Sequence, residues 1–292
     1  MIVKTKRLAP AKVNLYLHVA RPDDRGYHPL QSLVVFADTG DEIALQPKTS
    51  GEGLNLHIDG PFKDGLSAGD DNLVIRAARR FEQATGARVA ADIRLTKALP
   101  VASGIGGGSA DAGAVLHLLR QTYAPDMPDG DLEALAARVG ADGVMCLWAK
   151  AAVAEGYGEK LTYLSVPSMA AVLVNPGIAC PTPDVFGQYD VHGEFDNIEA
   201  KQPFFNISSS DAFITALENT RNDLEAPAIA LRPEIADLLS VIKGQPEAAF
   251  ARMSGSGATC FALCRSDDDA LVLSRRLDRL LPRAWVRSCR LA

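Results

Sequence analysis

The sequence predicts an α+β protein with two lobes. Strand-like and helix-like segments come in blocks rather than in strict alternation, which favours α+β over a parallel α/β sheet. The chain has 292 residues, a length typical of one large domain or two ordinary ones. Hydrophobic residues make up 47% of it and charged residues 23%, which is enough to build a sizeable core. A new run of elements begins near residue 160, so we predict domains over 1–162 and 163–292.

The first sixty residues predict an antiparallel sheet. Apolar and polar residues alternate from Val13 to Val19, which is the period of a strand. The turn-forming segment R-P-D-D-R-G-Y-H follows. Further strands are predicted over 30–37, 41–45 and 53–58.

Helices are predicted where capping residues flank an amphipathic pattern. Asp71-Asn72 precede a stretch whose apolar residues share one face, and Gly86 is suited to end it. Residues 181–210 are rich in Pro, Asp, Gly and Ser and are predicted to be largely irregular. The other predicted helices cover 114–123, 131–139, 233–242 and 268–281. The other predicted strands cover 89–95, 151–164 (two strands meeting at a bend), 171–174, 261–264 and 285–291.

Charge and cysteine content exclude several function classes. With a net charge of −6, the chain lacks the excess of basic residues typical of a nucleic-acid-binding protein. Five cysteines without framework or zinc-site spacing predict reduced, buried thiols. No run approaches the ~18 apolar residues of a membrane span, and the N-terminal segment lacks the apolar core of a secretory signal. We therefore expect a soluble, cytoplasmic protein whose partners are small molecules, with neither nucleic acid nor membrane among them.

A cluster of glycines interrupts the chain at residues 99–113, L-P-V-A-S-G-I-G-G-G-S-A-D-A-G. Glycine costs roughly 0.5–1 kcal/mol relative to Ala in regular structure, so a cluster indicates a close backbone approach or positive φ. A glycine-rich turn entering a helix points unpaired N–H groups and the helix dipole at a phosphate. Ser109 is predicted to begin this helix, with its hydroxyl available for capping or for a phosphate oxygen or metal ion.

Familiar phosphate motifs do not fit this loop. No Lys follows the glycines as in G-x-x-x-x-G-K-[ST], and H-R-D and D-F-G are absent. The pattern G-x-G-x-x-G would need a glycine where Ser109 stands. Taken alone, the cluster is equally well explained as a tight turn packed close to a sheet.

Two further segments form a three-part constellation with this loop: A-P-A-K-V-N-L at 9–15 and M-S-G-S-G-A-T-C-F-A at 253–262. In their order and spacing, the three resemble the GHMP kinase superfamily, the small-molecule kinases of galactose, homoserine, mevalonate and phosphomevalonate. The resemblance covers nearly the whole chain. It implies a two-lobed GHMP kinase fold with an N-terminal ATP-binding lobe, a C-terminal substrate-binding lobe and the active site between them.

Six segments resemble the 4-diphosphocytidyl-2-C-methyl-D-erythritol kinase branch in particular. They are P-A-K-V-N-L-Y-L-H-V, R-P-D-D-R-G-Y-H-P-L, L-P-V-A-S-G-I-G-G-G-S-A-D-A, G-A-D at 140–142, P-T-P-D-V-F at 181–186 and N-D-L-E at 222–225. That branch implies transfer of the ATP γ-phosphoryl group to the 2-hydroxyl of the methylerythritol conjugate, in the non-mevalonate isoprenoid pathway. Two alternatives stay open. One is another kinase of the superfamily, of the homoserine or mevalonate type, and the other is a catalytically silent nucleotide-binding relative.

The resemblance implies two catalytic residues. Asp142, in G-A-D at 140–142, matches the aspartate that accepts the hydroxyl proton and touches the substrate. Lys12 matches the lysine that keeps this aspartate ionised and offsets charge on the phosphoryl oxygens. Without the resemblance, the two would be interpreted as a turn residue and a strand-surface charge.

The glycine loop and Lys97 are implied to bind ATP, with Mg²⁺ bridging its β- and γ-phosphates and no protein ligand assigned to the metal. Lys97 matches a position near the adenine, or is a charge at a solvated strand end. Asp111 favours the helix N-terminus or lies near the metal through a water molecule. The implied ATP-binding residues are Lys97, Pro100, Val101, Ala102, Ser103, Gly104, Ile105, Gly106, Gly107, Gly108 and Ser109.

The substrate is implied to contact five further residues. Tyr27 and Phe186 match the aromatics that stack on cytosine, where stacking contributes roughly 1–3 kcal/mol. His28 matches the residue that hydrogen-bonds the cytosine edge. Asn14 and Thr182 match residues near the methylerythritol.

Two positions depart from the family pattern. Ala102-Ser103 stand where the family usually has further glycine, which affects the early loop conformation. Gly143-Val144 stand where the family has V-P, and loss of that proline loosens the segment that carries Asp142.

Overall fold

The computed structural model describes residues 5–48, 53–192, 195 and 207–292. Within these residues the chain forms ten strands and nine helices, and the α+β class is confirmed. The strands are β1 (Thr5–Val19), β2 (Leu30–Pro47), β3 (Leu54–Asp59), β4 (Ala91–Thr96), β5 (Ala152–Gly156), β6 (Lys160–Tyr163), β7 (Met169–Asn175), β8 (Phe250–Met253), β9 (Cys260–Cys264) and β10 (Trp285–Leu291). The helices are α1 (Leu73–Thr85), α2 (Gly107–Tyr123), α3 (Asp129–Val139), α4 (Gly143–Trp148), α5 (Thr182–His192), α6 (Ser210–Glu218), α7 (Glu225–Leu231), α8 (Glu234–Lys243) and α9 (Asp267–Leu280).

The chain divides into two compact units that alternate along the sequence. The first comprises Met1–Ala11, Thr39–Val101 and Gly106–Ala149, and the second comprises Lys12–Asp38, Ala102–Ile105 and Lys150–Ala292. The strands β1 and β2 each contribute residues to both units, so neither unit is a continuous stretch of chain.

In the first unit, β4 lies between β3 and the second half of β2. Residues 42–47 of β2 pair antiparallel with β4, whereas β3 runs parallel to β4. The expectation of a wholly antiparallel N-terminal sheet is therefore wrong for β3. The reason is the connection, because α1 joins β3 to β4, and a helical crossover is what allows neighbouring strands to run parallel.

Local signals account for α1. The side chain of Asn72 accepts a hydrogen bond from Val74 N at 2.9 Å, which caps the first turn. Gly86 ends the helix with φ 67, a left-handed conformation suited to glycine. The buried residues Val74, Ile75, Ala77, Ala78 and Phe81 form one face. This helix is as the sequence predicts.

The second unit contains a sheet in which β7 pairs antiparallel with both β10 and β9, and β9 pairs with β8. All seven residues of β7 are buried, as expected for a strand covered on both faces. The first half of β2 pairs with β5, and β5 pairs with β6. The apolar core includes side chains from α5, α7, α8 and α9.

Three sequence expectations are corrected. The strands predicted over 30–37 and 41–45 form the single strand β2, because Gly40 does not make a turn. A Cβ at Gly40 would lie 2.1 Å from Ala9 O, so the glycine allows β1 and β2 to approach closely. Within the segment predicted to be irregular, α5 forms over Thr182–His192. The short elements α4, α6, α7 and β8 have no counterpart in the sequence prediction.

Candidate active site

The glycine cluster forms a turn that leads into α2. Gly104 and Gly106 have φ values of 76° and 66°, a region that favours glycine. The first intrahelical hydrogen bond runs from Ala110 N to Gly106 O at 2.9 Å, so the amides of residues 107–109 have no partner within the helix. The helix begins two residues before Ser109, and the expectation that Ser109 begins it is wrong. The left-handed Gly106 turns the chain into the helix earlier, without a side-chain cap.

The second glycine loop, Ser254 to Ala258, packs directly on Gly104. A Cβ at Gly104 would lie 2.6 Å from Ser254 O and 2.7 Å from Gly257 O, closer than any side chain allows. The hydroxyl of Ser254 donates to Gly104 O at 3.2 Å. The two glycine loops therefore pack against each other.

Asn222, the first residue of N-D-L-E, hydrogen-bonds the backbone of the second glycine loop. Its Nδ2 donates to Met253 O at 2.9 Å and to Gly255 O at 2.8 Å. Its Oδ1 accepts a hydrogen bond from Leu224 N at 3.0 Å. The motif therefore acts on the backbone of the loop, a role that the sequence alone did not suggest.

The proposed catalytic residues lie in different units. Lys12 is buried on β1, and its backbone N donates to Ile105 O at 2.9 Å, which ties the strand to the glycine turn. Asp142 occupies the N-cap position of α4, with φ −80°. Lys12 belongs to the second unit and Asp142 to the first. Their cooperation stays a prediction.

Lys97 belongs to a buried cluster of three charged side chains in the first unit. Its Nζ is paired with Asp41 Oδ2 and lies 2.9 Å from Asp111 Oδ2. The other oxygen of Asp41 accepts hydrogen bonds from the backbone N atoms of Ala98 and Leu99, at 2.6 Å and 2.8 Å. Lys97 is therefore not a solvated strand-end charge. Asp111, for which the sequence suggested the helix N-terminus or a metal, is the second carboxylate partner of this lysine.

Burial and pairing shift the titration of this cluster. Burial raises the pKa of the Asp111 carboxyl to about 7, although the ammonium of Lys97 favours its charged form. Burial alone would lower the pKa of Lys97, but Asp111 and Asp41 outweigh it and raise that pKa. A Cβ at Gly107 would lie 3.4 Å from Lys97 Nζ and 3.5 Å from Asp41 Oδ2. The cluster thus lies directly against the first residue of α2.

The rest of the loop differs in exposure. Ile105 is completely buried, whereas Val101 is 48% exposed. Pro100 and Ser103 are buried. Ala102 adopts φ 50°, in the left-handed region where the family usually has glycine.

Asn14 and Thr182 both lie against the second glycine loop. Asn14 N donates to Ser254 Oγ at 3.1 Å, and Asn14 Nδ2 donates to Ser32 Oγ at 2.7 Å. The buried Oδ1 of Asn14 has no hydrogen-bond partner in the described part of the chain, so it is available as an acceptor. Thr182 Oγ1 lies 2.8 Å from Ser256 Oγ. Sequence reasoning identified Asn14 and Thr182 but not the serines.

The aromatic residues form two groups. Tyr27 is 62% exposed, and its ring centroid lies 6.0 Å from that of Tyr157. Phe186 instead lies against His28, with centroids 5.2 Å apart. His28 Nδ1 lies 2.8 Å from Ala20 O, which assigns the proton to Nδ1.

His28 Nε2 is placed beside a carboxylate without bonding it. It lies 3.0 Å from Asp190 Oδ1, at an angle that makes no hydrogen bond. This nitrogen is buried and, within the residues that the structure describes, has no hydrogen-bond partner. It is therefore able to accept a hydrogen bond from a ligand.

Comparison with known proteins decides the family. The GHMP kinases N terminal domain matches residues 72–150, and the GHMP kinases C terminal domain matches residues 209–283. A 4-diphosphocytidyl-2-C-methyl-D-erythritol kinase of Caulobacter vibrioides is 49% identical, over 100% of this chain and 99% of that protein. One from Hyphomonas neptunium is 47% identical, over 88% and 86%.

The chain belongs to the 4-diphosphocytidyl-2-C-methyl-D-erythritol kinase family.

Solved structures agree with this assignment. A crystal structure of 4-(cytidine 5'-diphospho)-2C-methyl-D-erythritol kinase superposes with a TM-score of 0.77 at 33% identity, covering 99% of both chains. Homoserine kinase from Cytophaga hutchinsonii gives a TM-score of 0.70 at 21% identity, over 98% of this chain and 94% of that one. At 21% identity, the similarity to homoserine kinase is evidence for the fold alone.

One departure from the 4-diphosphocytidyl-2-C-methyl-D-erythritol kinase pattern has a packing cause. A Cβ at Gly143 would lie 1.9 Å from Ala136 O, because the start of α4 touches the backbone of α3. Only glycine fits at this position in this chain. The valine of the family's V-P would collide with α3.

The charged cluster was missed although the sequence carried one signal for it. Asp41 shares the alternating buried face of β2 with Ile43 and Leu45, which is an unusual position for an unpaired carboxylate. A buried carboxylate at this position predicts a buried cationic partner, but the pattern does not identify that partner. Lys97 is 56 residues away.

Three further features concern the described residues. They contain no group of three or more His, Cys, Asp or Glu side chains that could hold a metal ion. None of the helices described is both long and apolar enough to cross a membrane. All five cysteines are buried free thiols.

Proposed function

We propose that this chain transfers the γ-phosphoryl group of ATP to the 2-hydroxyl of 4-diphosphocytidyl-2-C-methyl-D-erythritol. The observation that carries this proposal is the full-length relationship to curated kinases of that name, at 49% identity over the entire chain. The homoserine and mevalonate alternatives have less support, because structures of those enzymes are only 21% and 15% identical. The reaction is a phosphotransfer to an alcohol and belongs to the non-mevalonate isoprenoid pathway. We place it in the cytoplasm, whose reducing conditions keep thiols such as these five reduced.

ATP binds at the glycine turn in this proposal. The amides of residues 107–109 lack helical partners and lie at the positive end of the α2 dipole, which favours the phosphates. Gly104 and Gly106 let the backbone approach them. Lys97 acts beneath the turn rather than on the adenine, because its ammonium is paired with two carboxylates.

Mg²⁺ is proposed to arrive with ATP. A nucleotide-borne Mg²⁺ needs only one or two protein oxygens, because the phosphates and water supply its other ligands. When bound, Mg²⁺ would neutralise negative charge on the phosphates that the amides of residues 107–109 hold.

Asp142 and Lys12 carry the chemistry. The substrate's 2-hydroxyl oxygen forms a bond to the γ-phosphorus as the bond to the ADP oxygen breaks, and the hydroxyl proton passes to the carboxylate of Asp142. The ammonium of Lys12 offsets negative charge on the transferred phosphoryl oxygens. The N-cap position of Asp142 leaves its side chain beside the start of α4.

The cytidyl end is held by the turn that carries Tyr27 and His28 and by Phe186. The exposed ring of Tyr27 offers a stacking face, and His28 Nε2 offers an acceptor for an amino group. Asn14 Oδ1 offers an acceptor for a methylerythritol hydroxyl. Domains over 1–162 for ATP and 163–292 for substrate remain part of the proposal.

The experiment measures ADP release with ATP, Mg²⁺ and the cytidyl substrate, beside homoserine and mevalonate. We expect turnover with the cytidyl substrate alone. Asp142→Asn should lower kcat about 10²- to 10⁴-fold while ATP still binds. Asp126→Asn, an exposed aspartate of the same unit, is the control. Turnover of homoserine or mevalonate would overturn the substrate, and folded protein that binds ATP without any turnover would point to a silent relative.

A further inference from the structure

The turn at residues 21–28 is organised around one carboxylate. Asp23 Oδ1 accepts hydrogen bonds from Arg25 N and Tyr27 N, both at 2.9 Å. The turn is closed by Asp23 N donating to Tyr27 O at 2.8 Å and Gly26 N donating to Asp23 O at 2.9 Å. The direction in which Tyr27 leaves the backbone therefore depends on where the Asp23 carboxylate is held.

A residue remote in sequence holds that carboxylate. The hydroxyl of Tyr157, between β5 and β6, donates to Asp23 Oδ2 at 2.7 Å. Arg25 Nε donates to the same oxygen at 3.0 Å, and Arg25 Nη2 donates to the Tyr157 hydroxyl at 2.8 Å. The three side chains form a closed triangle in which each bonds the other two. The Tyr157 hydroxyl, with the Tyr27 and Arg25 amides, holds the pKa of the Asp23 carboxyl well below its usual range.

The same tyrosine also contacts the ring of Tyr27. The two ring planes are inclined by 70° with centroids 6.0 Å apart, an edge-to-face arrangement. The guanidinium of Arg25 lies 5.7 Å from the Tyr27 centroid and 5.2 Å from that of Tyr157. Tyr157 thus limits both the backbone and the ring of Tyr27, while 62% of Tyr27 remains exposed.

We propose that Tyr157 is a positioning residue for nucleotide recognition: its hydroxyl and ring preorganise the 21–28 turn so that Tyr27 presents its face to the cytosine. The assignment rests on the proposed function, in which Tyr27 stacks on the base. Preorganisation lowers the cost of ordering a binding loop, so its loss weakens binding without touching the phosphoryl transfer.

The kinetic test uses Tyr157→Phe, which keeps the ring and removes the hydroxyl. Loss of the two hydrogen bonds of this exposed hydroxyl, with Asp23 and Arg25, should raise KM for the cytidyl substrate about three- to tenfold. The kcat and the KM for ATP should stay within about twofold, the signature of lost uniform binding. Tyr123→Phe is the matched control, since it also removes a tyrosine hydrogen bond, to Ala90 O at 2.8 Å, but in the first unit. An equal KM for the two variants, or a parallel rise in KM for ATP, would overturn the proposal.

A second variant tests whether the triangle acts as one unit. Asp23→Asn keeps an oxygen for the two amides but loses the charge. If the hydroxyl works through this carboxylate, the KM increase of Tyr157→Phe/Asp23→Asn should be smaller than the product of the single increases. If the KM increase of the double variant equals the product of the single increases, Tyr157 and Asp23 act independently, which would contradict the network.

Hydrogen exchange separates this proposal from the proposed function. The amides of Arg25 and Tyr27 should exchange faster in Tyr157→Phe than in wild type or Tyr123→Phe, with no substrate present. Unchanged exchange overturns the positioning role whatever the substrate. Faster exchange with unchanged CDP affinity overturns its link to recognition. Wild-type protein that fails to turn over the cytidyl substrate overturns the proposed function, and the exchange result still decides what Tyr157 does.

Discussion

The ammonium of Lys97 lies 2.9 Å from Asp111 Oδ2, and both side chains are almost completely buried. Asp41 pairs with the same ammonium, so two carboxylates share one cation beneath the first residue of α2. Two buried carboxylates cannot both be compensated by a single positive charge. Burial, with the Asp41 carboxylate beside it, raises the pKa of the Asp111 carboxyl to about 7, although Lys97 opposes the shift.

We expect Asp111→Asn to change how stability depends on pH. Asp111 releases its proton near 3.8 when unfolded and near 7 when folded, so the folded state holds more protons between these values. The contribution of Asp111 to the free energy of unfolding should therefore fall as pH rises from about 4 to 7, by up to about 1.4 kcal/mol per pH unit. Asn does not titrate, so the variant should lack this slope.

Urea denaturation at pH 4.5, 6 and 7.5 measures the difference. Asp126→Asn serves as the control, because that aspartate is exposed and should leave the wild-type slope intact. Parallel curves for wild type and Asp111→Asn would contradict the raised pKa.

His117 should contribute a pH dependence of the opposite sign. Burial, with Arg7 nearby, lowers the pKa of His117 to about 4, and its Nε2 lies 2.8 Å from Leu147 O. The unfolded chain takes up a proton at His117 near pH 6.5, which the folded chain resists. Stability that is present above pH 6.5 should be lost as pH falls towards 4.

His117→Gln tests this by keeping a donor for Leu147 O while removing the titration. The difference between its free energy of unfolding and that of the wild type should shift in favour of the variant as pH falls from 6.5 to 4. His57→Gln, at an exposed histidine on β3, should retain the wild-type slope. A steeper acid limb in His117→Gln would show that this histidine is charged in the folded protein.

Elements whose signals are local could be predicted from the sequence. The cap at Asn72, the stop at Gly86 and the buried face between them lie within fifteen residues, so α1 is determined by its own segment. The same holds for the glycine turn and for the order of the three motifs. These were enough to indicate the family and most of the proposed site.

Features that depend on distant partners could not be predicted. From the sequence alone, Gly40 separates two predicted strands, and its contact with β1 becomes visible only in the structure. The hydrogen bond from Tyr157 to Asp23 joins residues 134 positions apart, so the local sequence does not indicate it. The cluster of Asp41, Lys97 and Asp111 joins a strand, a strand end and a helix. In each case the local sequence is compatible with several structures, and tertiary contacts select one.

Ala102→Gly should stabilise the protein. Ala102 has φ 50°, and the left-handed region costs an L-residue about 1–2 kcal/mol. Glycine removes that strain but adds about 0.4–1 kcal/mol of unfolded-state entropy, so we expect a net gain of about 0.5–1 kcal/mol in the free energy of unfolding. Val101→Gly, at the neighbouring residue without positive φ, should lower stability instead. Urea denaturation of both variants measures this, and a loss of stability in Ala102→Gly would contradict the strain.

The two glycines that flank Asp142 should respond in opposite ways to alanine. A Cβ at Gly143 would lie 1.9 Å from Ala136 O, so Gly143→Ala must push α4 away from α3, at a cost of about 1–3 kcal/mol or more. A Cβ at Gly140 meets nothing within 4 Å, and its φ of 178° is open to any residue, so Gly140→Ala should be neutral or slightly stabilising.

Denaturation and kcat should be measured together for this pair. Because Asp142 directly precedes α4, displacement of that helix by Gly143→Ala should lower kcat as well as stability, since small shifts of a catalytic group are costly. Gly140→Ala should leave kcat within about twofold. A Gly143→Ala variant that loses stability but keeps full kcat would contradict the expected link between the position of α4 and catalysis by Asp142.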